Sequence, residues 1–155
     1  MSKLASTTNV ALPEGFWGGL GEGIGAIALY AVLGVILMLI GFYAIDFTTP
    51  GKLSDLVRAG RPNAVIVTAS GMLSMAFIIV IAIFGSGGDL AAGLIQSLVF
   101  GLVGIIAQVL AVRLLEWTTR LDVGATIESE RFAPGSIVVA AVHFALGLVV
   151  AAAVL

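Results

Sequence analysis

The sequence predicts an all-α integral membrane protein: four transmembrane helices in a tandem repeat of two helical hairpins, with short cytoplasmic interfacial helices. Three observations predict it. Of 155 residues, 60% are hydrophobic and 10% charged, with a mean hydropathy of +1.19, whereas a soluble domain is near half apolar and a quarter charged. Four long stretches are almost free of Lys, Arg, Asp and Glu. A shift of 70 residues also lays positions 15–84 on 85–154 without a gap. Such a composition excludes a soluble globular protein, because a domain of this size leaves about a third of its chain surface in water. It excludes a disordered chain for the same lack of polarity. Seven Lys plus Arg against nine Asp plus Glu, and the absence of Cys, exclude a nucleic-acid binder and a disulfide scaffold.

The first span is Gly23 to Ile45, the second about Asn63 to Gly88, the third Leu90 to Val112 and the fourth Phe132 to Leu155. Each exceeds the roughly 20 residues that cross a hydrocarbon core of about 30 Å. None alternates with period two, so helices are expected and not barrel strands. The N-terminus does not read as a cleavable signal peptide, since the first apolar run is too long and only Lys3 precedes it.

The connection between spans one and two holds Lys52, Arg58 and Arg61, and that between three and four holds Arg113, Arg120 and Arg131. The opposite side holds only Lys3, because the link Gly85 to Asp89 has no basic residue. The positive-inside rule then places both connections in the cytoplasm and both termini outside. Phe16 and Trp17 fit an outer aromatic belt; Tyr43, Phe47, Trp117 and Phe132 fit an inner one.

The repeat divides the chain into an N-terminal tail (1–14), a first unit (15–84, link about 46–62) and a second (85–155, link about 113–133). Eleven aligned pairs are identical, among them Gly23/Gly93, Gly34/Gly104 and Arg61/Arg131. Asp46-Phe47-Thr48-Thr49 faces Glu116-Trp117-Thr118-Thr119. Both copies enter the membrane from the same side, so a pseudo-two-fold axis along the membrane normal is expected. Within the first link, Thr49 is the expected cap of a short interfacial helix whose first residue is Pro50, with Gly60 at its C′ position. Leu53, Leu56 and Val57 would share its apolar face, away from Lys52, Asp55 and Arg58. The counterpart, Arg120 to Arg131, is less regular, with Gly124 in its middle.

Thr49-Pro50-Gly51, then Leu53 to Val57, Gly60, Asn63-Ala64 opening an apolar span, and Gln108 ahead of Arg113 form an ordered set. By these residues the chain resembles the YjfL-like family of small bacterial inner-membrane proteins, over about residues 23–155. The family's usual Gly-Asn before the second span reads Arg61-Pro62-Asn63 here. The resemblance implies two copies of a two-helix unit in a bacterial inner membrane and carries no established activity. It also implies relatives encoded near phage-shock-type membrane-stress proteins or polyamine-synthase-like proteins.

Catalysis needs several donors converging, and the chain offers one His and no Cys. The glycine-dense stretch 15–25 opens a membrane helix and lacks the strand–loop–helix setting of a phosphate cradle. Asp122, Glu128 and Glu130 read as a solvated face neutralised by Arg120 and Arg131. No enzyme activity, metal or cofactor is expected. The polar signal lies inside the membrane: Thr68, Ser70 and Ser74 on the second span, Gln108 on the third and His143 on the fourth. At 1.5 Å per residue, His143 falls about 3 Å and Gln108 about 7 Å to the cytoplasmic side of mid-bilayer. An intramembrane His is a functional candidate; the competing expectation is that His143 bonds Gln108 or a Ser/Thr as interhelical glue. Small residues form packing ridges, Gly19/Gly23 on the first span and Gly93/Ser97/Gly101 on the third.

Two functions follow. The preferred one is a non-catalytic subunit that forms a homo-oligomer in the lipid bilayer, serving membrane homeostasis or anchoring a cytosolic or membrane partner. The alternative is an oligomeric ion channel or small transporter with a polar path near Gln108 and His143, formed between protomers.

Overall fold

The computed structural model describes residues 12–48 and 52–155. Six helices follow in order: α1 (Phe16–Thr48), α2 (Leu53–Arg58), α3 (Pro62–Gly85), α4 (Leu90–Thr119), α5 (Val123–Glu128) and α6 (Gly135–Val154). Four of them, α1, α3, α4 and α6, are long and apolar enough to cross a membrane. Where water is absent every backbone group must be paired within its own helix, so even the glycine-dense start of α1 is helical.

Helix ends follow local chemistry more than hydropathy. α1 begins at Phe16 and not near Gly23; Pro13 and Gly15 (φ +82°) form the turn ahead of it, where Phe16 N–H bonds Pro13 C=O. α4 runs past Val112 to Thr119. Arg113 pairs with Glu116 at 2.8 Å, Thr118 and Thr119 bond back to Leu114 and Leu115, and Arg120 ends the helix at φ 56°. Asp89 and Asp122 cap α4 and α5 by accepting from the backbone N–H three residues on.

The expected cap Thr49-Pro50 lies outside the described residues. The helix after it starts at Leu53, with Lys52 at the N-cap, and not at Pro50. The capping acceptor comes from the end of α1 instead: the Asp46 carboxylate receives the Leu53 N–H. At the other end Gly60 (φ +71°) receives the turn, with Gly60 N–H on Val57 C=O and Arg61 N–H on Leu56 C=O. This is a Schellman motif, which needs the left-handed conformation that glycine adopts without strain.

α3 is the centre of the bundle, packed on α1, α4 and α6, while α1 packs on α3 and α4. One apolar core lies at the α2/α5 end, where Leu53, Val123 and Ile127 of the short helices meet Ala64 and Val67 of α3 and Val139 of α6. A second joins Leu37, Met75, Ile78 and Ile105. Glu130, read from the sequence as neutralised by its neighbours Arg120 and Arg131, pairs with Arg61 at 2.9 Å, because the chain fold brings α3's first turn to the segment after α5.

Candidate functional site

Between the two cores, three polar side chains from three helices close on one another. Ser74 of α3 is fully buried, His143 of α6 is 2% exposed and Gln108 of α4 is 4% exposed. Gln108 Nε2 donates to Ser74 Oγ at 2.8 Å, and Ser74 Oγ donates to the His143 carbonyl at 2.7 Å. His143 Nδ1 stands 3.1 Å from Gln108 Oε1. An amide oxygen only accepts, so Nδ1 donates and the hydrogen bonds form a ring that starts and ends on His143. His143 Nε2 has no partner among the described residues.

The ring exists because α3 and α6 approach closely. A Cβ built on Gly147 would overlap Ser74 Oγ and stand 2.9 Å from Ser74 Cα. Beside this contact, Phe77 and Phe144 meet edge to face with centroids 5.5 Å apart. Hydrogen bonds of this kind between membrane helices contribute about 0.6 kcal/mol each and up to roughly 2, so the ring chiefly fixes the register of three helices.

The structure therefore divides the residues picked from the sequence. It brings Ser74, Gln108 and His143 together. Ser70 is not in the ring; its hydroxyl donates to Val67 C=O of its own helix at 2.8 Å. Thr68 lines a small cavity with Gln108, and its Oγ1 has no partner among the described residues. The packing ridges separate as well. Gly101 receives Leu37, whose Cδ1 would be 2.7 Å from a Cβ there, and Gly93 receives the Tyr30 hydroxyl. Ser97 is fully buried between them. A Cβ on Gly19 or Gly23, by contrast, would meet nothing within 4 Å among the described residues.

Two residues of consequence carried no weight in the sequence reading. Gly147 looks like any other glycine in an apolar run. Asn63 entered only as part of a motif, yet it is fully buried and makes three hydrogen bonds. Its Nδ2 donates to Ser129 C=O (3.1 Å) and Arg131 C=O (2.8 Å), and its Oδ1 accepts from Ala133 N–H (2.9 Å). The signal available was its position: an amide one residue inside an apolar span is costly unless it is used.

Comparison with known proteins is consistent with this architecture. The family profile of a domain of unknown function, DUF350, matches residues 19–154. The chain belongs to the DUF350 family. A UPF0719 transmembrane protein of Mycolicibacterium paratuberculosis is 37% identical over 134 residues, which is 86% of this chain and 89% of the relative. UPF0719 transmembrane proteins of Mycobacterium bovis and Mycobacterium tuberculosis are 37% identical over 81 residues, about half of each chain. No solved structure matches. With four apolar helices and transmembrane relatives, this DUF350 protein is a multi-pass membrane protein.

Proposed function

We propose that this DUF350 protein is a non-catalytic membrane subunit that forms a homo-oligomer through the glycine face of α1 and serves membrane homeostasis or anchors a cytosolic partner. The observation that carries the reading is the division of the small residues. Gly93, Ser97 and Gly101 are used up inside the chain, whereas Gly19 and Gly23 lie on a helix segment, 16–25, that is exposed throughout. Small residues let a second helix approach closely where lipid supplies no hydrophobic drive.

The YjfL-like resemblance supports a bacterial inner membrane as the location, and the Lys/Arg distribution supports both termini outside. A tandem repeat is supported by the element bounds, since α2 and α5 coincide under the 70-residue shift. The contacts Ser74–Gly147 and Phe77–Phe144 also exchange under that shift. Leu53 and Val123, equivalent and both buried, support a role for the short helices in closing the cytoplasmic end of the bundle.

The test is the mass of the assembly in several mild detergents. Gly23→Leu is expected to lower the protomer number with the fold intact. Gly101→Leu is expected instead to cost fold stability, because its side chain would enter the space of Leu37. A wild type that is monomeric at all concentrations overturns the proposal. A second reading, an oligomeric ion channel or small transporter, draws on three buried polar atoms without a partner among the described residues: Thr68 Oγ1, Ser97 Oγ and His143 Nε2. It requires an ion or proton flux through liposomes that depends on His143.

A further inference from the structure

An apolar groove of about 400 Å³ runs between α1 and α3, lined by Val35, Met38 and Phe42 of α1, Val57 of α2, and Thr68 and Met72 of α3. A cavity of about 10 Å³, room for one water-sized atom, shares Met38, Phe42, Thr68 and Met72 with it and extends to Gln108. Neither is lined by a charged residue. Thr68 lines both, is 7% exposed, and leaves its hydroxyl without a hydrogen bond. Gln108 commits one amide hydrogen and one lone pair to the ring, and so keeps a second N–H.

A buried hydroxyl without a partner is costly, and the groove beside it, walled by the exposed Val35 and Met72, gives an apolar ligand a route to it. Three features define that ligand. The absence of charged lining residues excludes phosphate and carboxylate heads. The Thr68 hydroxyl can donate as well as accept, and the second Gln108 N–H donates, so a carbonyl oxygen satisfies both together. Thr68 lies six residues into α3 from Pro62, about 9 Å along the helix, which is deeper than the ester carbonyls of a phospholipid at the hydrocarbon boundary. The methionine walls adapt to an apolar body of irregular shape.

We propose that this groove binds a neutral, lipid-soluble carbonyl compound of the quinone class, its carbonyl oxygen seated between Thr68 and Gln108 and its apolar tail against Met38 and Met72. The site belongs to one chain and does not rest on the homo-oligomer, whose failure leaves it intact.

The experiment uses the full chain in phospholipid nanodiscs, titrated with a decyl-substituted benzoquinone and with decylbenzene as the carbonyl-free control. Binding is read from saturation and from the rise in thermal midpoint. Saturable binding of the quinone at one per chain is expected, with no such binding of decylbenzene. Thr68→Val keeps the shape and removes the hydroxyl; it should fold at least as well as wild type and bind about tenfold more weakly, the worth of one hydrogen bond. Met72→Trp fills the groove and should abolish binding. Equal affinity in wild type and Thr68→Val overturns the proposal. Equal binding of decylbenzene does so too, since an acyl chain would then be the natural occupant. A groove covered by a second copy would show no quinone binding and a change of assembly mass in Met72→Trp, which also overturns it. Should Met72→Trp fail to fold, Thr68→Val and decylbenzene decide alone.

Discussion

Gln108 has one amide orientation that satisfies its neighbours. With Oε1 toward His143 Nδ1 and Nε2 toward Ser74, the Ser74 proton remains free to reach the His143 carbonyl. Exchanging the amide atoms would set Oε1 against a hydroxyl whose proton is already committed, at the loss of one bond. The ring thus fixes which nitrogen of His143 carries hydrogen. His143→Gln supplies an N–H of similar reach and is expected to leave unfolding within about 0.5 kcal/mol of wild type. His143→Leu strands the Gln108 oxygen and should cost about 1–3 kcal/mol, measured by reversible denaturation in detergent. The same His143→Gln protein in liposomes separates the two functions. Wild-type ion or proton flux that disappears in the variant would favour the channel. Absence of flux in both is the outcome expected for a structural subunit.

Among the elements, the short helices depend most on partners distant in sequence. α2 takes its N-terminal acceptor from Asp46 at the end of α1, and the turn into α6 is held by Asn63 at the start of α3. Asn63 therefore joins the two halves of the chain at the end where α2 and α5 lie. Asn63→Ala removes all three bonds and strands the Ser129 carbonyl and the Ala133 N–H, while Arg131 C=O keeps the Ser129 hydroxyl. A loss of about 1–3 kcal/mol is expected, with faster amide hydrogen exchange confined to residues 129–133. Asn63→Asp keeps the acceptor for Ala133 N–H but sets a buried carboxylate against the Ser129 and Arg131 carbonyls, so it should cost at least as much as Asn63→Ala. Equal exchange in wild type and Asn63→Ala would show that the segment is held by Arg61–Glu130 alone.

At the scale of the whole molecule, the bundle is asymmetric about its proposed repeat. α3 sits inside and α1 outside, and α1 is displaced along α4: Gly101 faces Leu37, where the repeat would put Ala31. That displacement leaves the first turns of α1 exposed, without a neighbour among the described residues. The proposed orientation rests on the Lys/Arg distribution of the sequence, six basic residues in the two links against Lys3 ahead of the first span. Single cysteines at Ser6, Ser54 and Ser129 test it in whole cells with an impermeant thiol reagent. Ser6→Cys is expected to label, and Ser54→Cys and Ser129→Cys only after the membrane is opened; the reverse pattern would invert the molecule.

Hydropathy alone determined that the chain crosses a membrane with four helices, because apolar side chains and internally paired backbone have one stable arrangement in lipid. It left the helix ends uncertain by up to a turn or two, since Pro13, Asp46 and the Arg113–Glu116 pair act locally and against the hydropathy average. The polar residues of the site were legible as a set, because polar groups in an apolar span are few. The expectation that His143 bonds Gln108 or a Ser/Thr drew partners from that set, but which serine completes the ring was not legible. Ser70 and Ser74 are one turn apart on the same helix, yet one bonds its own backbone and the other bridges two helices. Only the approach of Gly147 to Ser74 decides this, and a close approach is a property of two helices together. For the same reason Gly101 and Gly23 are alike in sequence and opposite in the fold, one filled by Leu37 and the other open. Composition fixes how much of each helix prefers lipid to water; which face meets which neighbour is settled only when the side chains of both are packed.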